Sequence, residues 1–216
     1  MADLTLAFDG QDFVSALPDS PDLAKVTLTG QLQDGTPFRG SDVVEVVNTV
    51  SLVAGWNLAC YAGSQQAADA ALAPIIDQVV AVYRLRDGGG YDRWFPGRPE
   101  LSTITTVSPF QPLFILVSGD ASWVQEVAAM SPISAGLTKG WNSLCYGGLT
   151  EPVDQASASI GTRLGILESL SSDQVWRRYV PGRPDITNMG DLAHLTPVLA
   201  LVTNEAGATW TFDFIR

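Results

Sequence analysis

An exact-length repeat governs what this chain can fold into. Gly55-Trp56-Asn57-Leu58-Ala59-Cys60-Tyr61 returns as Gly140-Trp141-Asn142-Ser143-Leu144-Cys145-Tyr146, 85 positions further on. The same offset carries Pro96-Gly97-Arg98-Pro99 onto Pro181-Gly182-Arg183-Pro184 and Pro112 onto Pro197 without a gap. Residues 53–118 and 138–203 share 19 identities in 66 pairs, so the chain holds a tandem duplication, and each copy must be able to fold in the same way.

Local signals turn the repeat into elements. Residues 55–61 read as a strand, followed by an alanine-rich run that Ser64 is placed to cap and whose counterpart starts at Thr150-Glu151-Pro152. Ala68, Ala71 and Ile75 align with Val153, Ala156 and Ile160, at i, i+3 and i+7, so one face of a short helix should lie on the sheet. Strands follow near 79–85 and 91–95, at Leu164–Leu170 and Val175–Val180, and in the apolar runs Leu113–Val117 and Val198–Val202. The last two suit core strands covered on both faces. Each copy ends on a tryptophan strand, around Trp123 and Trp210.

Before the repeat, Leu4, Leu6 and Phe8 alternate with polar or small residues. Leu17 to Asp22 reads as a loop. Val26, Leu28 and Leu32 lead into Asp34-Gly35, a tight-turn dipeptide, and Phe38 to Val47 returns. The expected fold is mainly β with one short helix per repeat: two pseudo-symmetric β-rich modules and an N-terminal β-meander. The boundaries are 1–50 for the meander, 51–126 for the first module, 127–137 for a connection and 138–216 for the second module.

Composition narrows the partners. With 23 acidic and 12 basic side chains the net charge is −11, and no Lys/Arg run offers a local patch for a phosphate backbone, so nucleic acid is not expected. No apolar stretch approaches the ~20 residues of a membrane span. The N-terminus lacks the basic and apolar regions of a secretory signal.

The copies resemble the tandem GWN-type module of bacterial secreted and surface proteins, which often lies near Ig-like domains. The likeness rests on the Gly-Trp-Asn opening, the Tyr at 61 and 146, the aromatic strand ending in Pro-Gly, and the later Pro before an apolar strand. It covers roughly three quarters of the chain. Ala62 and Gly147 stand where that module commonly has proline. The Asp34-Gly35 hairpin with Gly40-Ser41-Asp42 is similar to the closing strands of an Ig-like domain. The resemblance implies a structural or binding unit without enzymatic activity.

The repeated residues Gly55, Trp56, Asn57, Tyr61, Gly140, Trp141, Asn142 and Tyr146 are expected to be structural, with Trp56, Trp141, Trp123 and Trp210 as core anchors. Trp94 and Trp176 align instead with Tyr179 and Tyr91, beside arginines on hairpins, and are the aromatic binding candidates, placed to grip a sugar or a protein partner, with folding onto their own module favoured over that. Pro-Gly at 96–97 and 181–182 fits a type II turn. Arg98 and Arg183 on that turn are binding candidates: each guanidinium can clamp a carboxylate, the neighbouring Glu100 or Asp185 being favoured over one on a partner.

Cys60 and Cys145 are read as two small buried apolar side chains with free thiols, since a disulfide requires that their strands meet. His194, the lone histidine, aligns with Pro109 and suits a loop position. No nucleophile elbow or phosphate loop accompanies it. Asp9-Gly10-Gln11-Asp12 lacks the later glutamate of a calcium loop. No catalytic residue, metal or cofactor is assigned.

These readings lead to a non-enzymatic structural or attachment protein, a component of a virion or other extracellular assembly of the decoration, tail or appendage type. Its partners would be proteins of that assembly, further copies of itself among them. The alternative is a fragment of a secreted bacterial surface protein whose modules bind glycan or protein. The hairpins at 86–93 and 171–178 and the unequal loops before Trp123 and Trp210 are where the copies are expected to differ in their contacts.

Overall fold

The computed structural model of the protein describes residues 23–45, 47–86, 89–126 and 132–212. The expected strand through Leu4, Leu6 and Phe8, the loop at 17–22 and the segment Asp9 to Asp12 lie outside the described residues. The chain is mainly β with a few short helices.

An antiparallel hairpin comes first, β1 (Leu23–Gln31) against β2 (Pro37–Glu45). The Asp34-Gly35 turn joins them. Gly35 takes φ 84°, which glycine adopts without a Cβ penalty, and the Asp34 carboxylate accepts the Thr36 N–H at 2.9 Å.

The first copy runs β3 (Val47–Leu52), β4 (Gly55–Tyr61), β5 (Gln66–Ala67), helix α1 (Ala68–Leu72), β6 (Val79–Leu85), β7 (Tyr91–Trp94), β8 (Thr106–Val107), β9 (Gln111–Val117) and β10 (Ala121–Glu126). The second runs β11 (Ser134–Leu137), β12 (Gly140–Cys145), β13 (Glu151–Pro152), helix α2 (Val153–Ala156), β14 (Leu164–Leu170), β15 (Trp176–Tyr179), β16 (Asp191–Leu192), β17 (Pro197–Val202) and β18 (Ala208–Thr211). The main sheets are ordered β4-β9-β6-β7 and β12-β17-β14-β15, all antiparallel, so corresponding strands pair in the same order. The apolar runs form the second strand of each sheet, with a neighbour on either side. One face of β9 (Leu113, Ile115, Val117) is buried throughout, as is that of β17 (Val198, Ala200, Val202).

The positions picked out by the spacing, Ala68, Ala71 and Ile75, and Val153, Ala156 and Ile160, are all buried, but the α-helices are shorter than the spacing predicts: Ile75 lies in the 3-10 turn that follows α1 and Ile160 beyond the end of α2. The capping expectation fails. The helices begin at Ala68 and Val153, with Ala67 and Pro152 at the caps and no side-chain capping bond, so neither Ser64 nor Thr150 caps. The short strand before each helix explains this. It carries the chain past Ser64 and Thr150, so residues without a side-chain acceptor, Ala67 and Pro152, stand at the caps, and the first helical N–H groups, of Ala68 and Val153, donate instead to the Thr105 and Gly190 carbonyls across the chain at 3.0 and 2.9 Å.

Module boundaries also move. The tryptophan strand β10 pairs with β3, residue Trp123 opposite Val50, and β18 pairs with β11, Trp210 opposite Ala135. Val47 to Val50, expected in the N-terminal segment, and Ser134–Leu137, expected in the connection, are the strand partners that close each copy. These pairings join residues 69 to 79 positions apart, beyond the reach of local pattern.

At the centre of each copy a fully buried tryptophan seals helix to strand. Trp123 Nε1 donates to Ala71 O at 2.9 Å and Trp210 Nε1 to Ala156 O at 2.7 Å. Tyr61 stacks on Trp123 with ring centroids 5.7 Å apart, and Tyr146 lies 5.8 Å from Trp210. These two core anchors are found as expected.

Asn57 and Asn142 are the buried polar residues of the repeated motif. Asn57 Oδ1 accepts the Val53 N–H at 3.0 Å, and its Nδ2 donates to Val53 O at 2.8 Å and Gly55 O at 3.1 Å. Asn142 binds Thr138 and Gly140 in the same manner. Each side chain thus satisfies the backbone of the bend that enters the sheet, where Gly55 and Gly140 adopt φ 107° and 98°. Removing the amide leaves these groups without partners, so Asn57→Ala and Asn142→Ala should each cost about 2 kcal/mol, read as a lowered urea midpoint.

Strand alternation sends Asn57, Ala59 and Tyr61 inward and Trp56, Leu58 and Cys60 outward. The outward faces of the two sheets meet: β9 of the first copy lies against β12, and β4 against β14 and β17. There Cys60 and Cys145 form a disulfide, Cα to Cα 5.8 Å, both 3% exposed. This corrects the free-thiol expectation. Parity shows that the two cysteines point the same way from their copies, but not that those faces meet.

Candidate functional site

Side chains of both copies line an aromatic groove of about 540 Å³. Its floor is the outer face of the first copy's sheet: Trp56 on β4, Phe114 on β9, Tyr83 on β6 and Tyr91 on β7. The opposite wall is the β14–β15 hairpin of the second copy, with Leu170, Gln174 and Trp176. The rings of the floor are edge-to-face or tilted neighbours. Tyr83 lies 5.8 Å from Trp56 and 6.3 Å from Tyr91, and Tyr91 lies 6.1 Å from Phe114, so each ring is steered by the next.

The wall is positioned by its turn. The Asp173 carboxylate binds the Arg177 guanidinium and accepts the Val175 N–H at 3.2 Å, while the Ser171 N–H donates to Val175 O at 3.1 Å. The Ser171 hydroxyl, then the Val175 N–H and the Arg177 charge, hold the Asp173 carboxyl below its ordinary value. At the tip Gln174 adopts φ 63°, a left-handed conformation that its counterpart Gly89, at φ 98°, takes without strain. Gly55 makes room for it: a Cβ there would stand 3.1 Å from Gln174 Oε1.

This geometry corrects one expectation and decides another. Trp56 and Trp141, expected as core anchors, are 42% and 44% exposed, because the inward position of the motif is taken by the asparagine that closes the bend. Trp94, a binding candidate from the sequence, is 4% exposed and folds onto its own module, the alternative favoured for these hairpins; its Nε1 donates to Asp69 Oδ1 at 2.7 Å, which ties β7 to the first turn of α1. Of the two hairpin tryptophans only Trp176 is open, at 40%.

Arg98 and Arg183 do not line the groove. Arg183 forks onto Asp185 at 2.9 and 2.7 Å, and Arg98 lies 3.9 Å from Glu100, the intramolecular acids favoured from the sequence. The turns beneath them are those expected, with Gly97 and Gly182 at φ 64° and 73°. Gly55, Gly140, Asn57, Asn142, Tyr61 and Tyr146 hold structural places. His194 sits in an exposed loop after β16, with Nδ1 3.2 Å from Gly148 O.

Tyr83, Tyr91, Phe114, Leu170 and Gln174 were not singled out from the sequence. A signal for them existed. At the 85-residue offset, Tyr83 faces Glu168 and Phe114 faces Leu199, so the outward aromatics are concentrated in the first copy.

A smaller polar cavity, about 340 Å³, lies between the copies at Arg84, Arg86, Asp92, Gln111 and Ser143. Arg84 Nη2 is 2.7 Å from Asp92 Oδ2, and this hydrogen bond holds the Asp92 carboxyl below its ordinary value against the opposing effect of burial. Asp92 therefore binds fewer protons folded than unfolded in that range. Its contribution to stability is complete above about pH 4 and is lost as the pH falls through the lower folded value. Both side chains are partly exposed, so the change should stay below about 1 kcal/mol. Urea midpoints from pH 5 to pH 2 should fall less steeply in Arg84→Met than in the unaltered chain.

Among the described residues no group of three or more His, Cys, Asp or Glu side chains is placed to hold a metal ion, and no helix is long and apolar enough to cross a membrane. No protein-family model, curated protein or solved structure matches the chain.

Proposed function

We propose that this chain is a non-enzymatic attachment component of an extracellular assembly, of the virion, tail or appendage kind. The observation that carries the reading is the aromatic groove built jointly by two copies that a buried disulfide ties together. Solvent-open tryptophan and tyrosine rings on a rigid sheet are the side chains that dominate recognition surfaces, since they offer large contact area at little loss of rotamer freedom. A disulfide persists in oxidising settings such as virion and cell surfaces, which supports the extracellular placement. The net charge of −11 disfavours a nucleic-acid role inside the assembly.

A second reading, a secreted bacterial surface protein with tandem binding modules, draws on the resemblance of the Gly-Trp-Asn copies to the module found in such proteins. One experiment addresses both. Antibody against the folded chain is applied to released particles and to intact cells, and the recovered protein is analysed without reducing agent. Recovery with particles, the Cys60–Cys145 bond intact, is the expected result. Recovery from the cell envelope alone favours the second reading. Recovery only from the cytosol, with both thiols free, rules out each of them.

A further inference from the structure

The geometry points to a neutral oligosaccharide as the occupant of the aromatic groove, an inference that rests on the attachment reading and names its ligand. Charge is the first argument. The groove's lining contains no charged side chain, although the chain as a whole carries −11. An anionic sugar would approach against the overall field and find no cation in the groove, and a cationic ligand would find no acid there.

Shape is the second argument. The floor is the face of a sheet, formed by side chains from neighbouring strands, so although β4, β7 and β15 are edge strands, what lines the groove is rings standing off a sheet face and not the backbone edge along which a peptide strand pairs. A peptide lying across these rings would lose water from its amides with few partners to replace it. A pyranose ring has the opposite needs. Its axial C–H groups carry partial positive charge and suit the negative face of an aromatic ring, while its equatorial hydroxyls point sideways toward polar groups or water. Trp56, 42% exposed, and Trp176, 40% exposed, are the open indoles on the two sides of the groove.

Polar partners stand beside those rings. Tyr83 and Tyr91 bring phenol hydroxyls, and Gln174 brings an amide that both donates and accepts. Gln174 is the telling residue. It takes a left-handed φ where the corresponding turn of the first copy uses glycine, so its amide is set on the wall of the groove at a cost in backbone strain. The volume, about 540 Å³, lies within the range of small-ligand sites, so a short stretch of a glycan chain is the matching size.

The full-length oxidised protein is titrated, by tryptophan fluorescence and calorimetry, with neutral tri- to hexasaccharides of glucose and of N-acetylglucosamine. Matched uronate-containing oligosaccharides and aromatic-rich peptides serve as comparators. Saturable binding of a neutral oligosaccharide is expected, weakened about tenfold in Kd by Trp56→Ala and again by Trp176→Ala, each step corresponding to about 1.4 kcal/mol. Both side chains are open to solvent, so the variants should fold, and unchanged thermal unfolding verifies it. Trp141→Ala, at the corresponding position of the second copy and outside the groove, should leave binding unaltered. Gln174→Gly should weaken binding while preserving the turn.

Binding that survives Trp56→Ala with Trp176→Ala overturns the assignment, as does preference for the uronates or the peptides. Absence of binding to every neutral oligosaccharide also overturns it. None of these outcomes touches the attachment reading, which fails only if the protein is confined to the cytosol in reduced form.

Discussion

Reduction of the Cys60–Cys145 bond, or its replacement by two alanines, should produce one of the largest losses of stability available in this chain. The bond closes a sequence separation of 85, and the entropy that it removes from the unfolded chain corresponds to about 4.5 kcal/mol. For a protein of this length the loss should appear as a fall in Tm on the order of 10 °C. Dithiothreitol and the Cys60→Ala/Cys145→Ala variant should agree. A second consequence separates this bond from an ordinary staple. It joins the two copies rather than two parts of one core, so its loss should leave each copy's own packing in place while the unfolding transition broadens or splits. A variant that unfolds in one transition at an unchanged temperature would show that the sheets hold together without the bond.

Truncating Trp123 or Trp210 should be comparably severe. Each ring is completely buried, and each donates its indole N–H to a helix carbonyl, Ala71 O or Ala156 O. Trp123→Ala should cost about 3–5 kcal/mol through the lost contacts and the cavity, with the orphaned carbonyl adding to it. The damage should be confined to one copy. Hydrogen exchange should show lost protection in β3, β4, α1 and β10 for Trp123→Ala, and in β11, β12, α2 and β18 for Trp210→Ala. Protection lost equally in both copies would mean that they fold as one unit. Trp123→Phe should recover most of the packing but not the hydrogen bond, so the gap between the Phe and Ala variants apportions the two contributions.

The strands were legible because two independent patterns agreed on them: alternation within each copy, and the constant offset between copies. The helix face was legible for the same reason, since Ala68, Ala71 and Ile75 match Val153, Ala156 and Ile160. What stayed hidden was every feature decided by contact between distant segments. Val47–Leu52 and Ser134–Leu137 look like a tail and a linker until the tryptophan strands pair with them. The helix starts were misplaced because the hydrogen bonds that cap them come from backbone at Thr105 and Gly190, which no local signal announces.

Trp56 shows the limit most plainly. Its recurrence at Trp141 spoke for a repeated structural need, but the need belongs to the next residue. Asn57 turns inward to close the bend, and the tryptophan is left facing outward. Once it faces outward, its neighbours decide its role. In the first copy it meets Tyr83 and the groove; in the second the position corresponding to Tyr83 holds Glu168, which lies 3.6 Å from Arg178. The groove escaped sequence reading because its walls come from both copies.

The sulfur bridge joins residues that correspond to one another in the two copies, the separation of 85 being the repeat length itself. Contact between a residue and its own counterpart is what the subunits of a twofold dimer make near their axis. In a true dimer of identical chains any groove beside that contact would occur twice, and each substitution would alter both at once. Joined in a single chain, the two sides are free to differ, and one set of outward aromatics can be kept while the other is given over to Glu168 and Leu199. The duplication thus turns a contact between equals into one asymmetric groove.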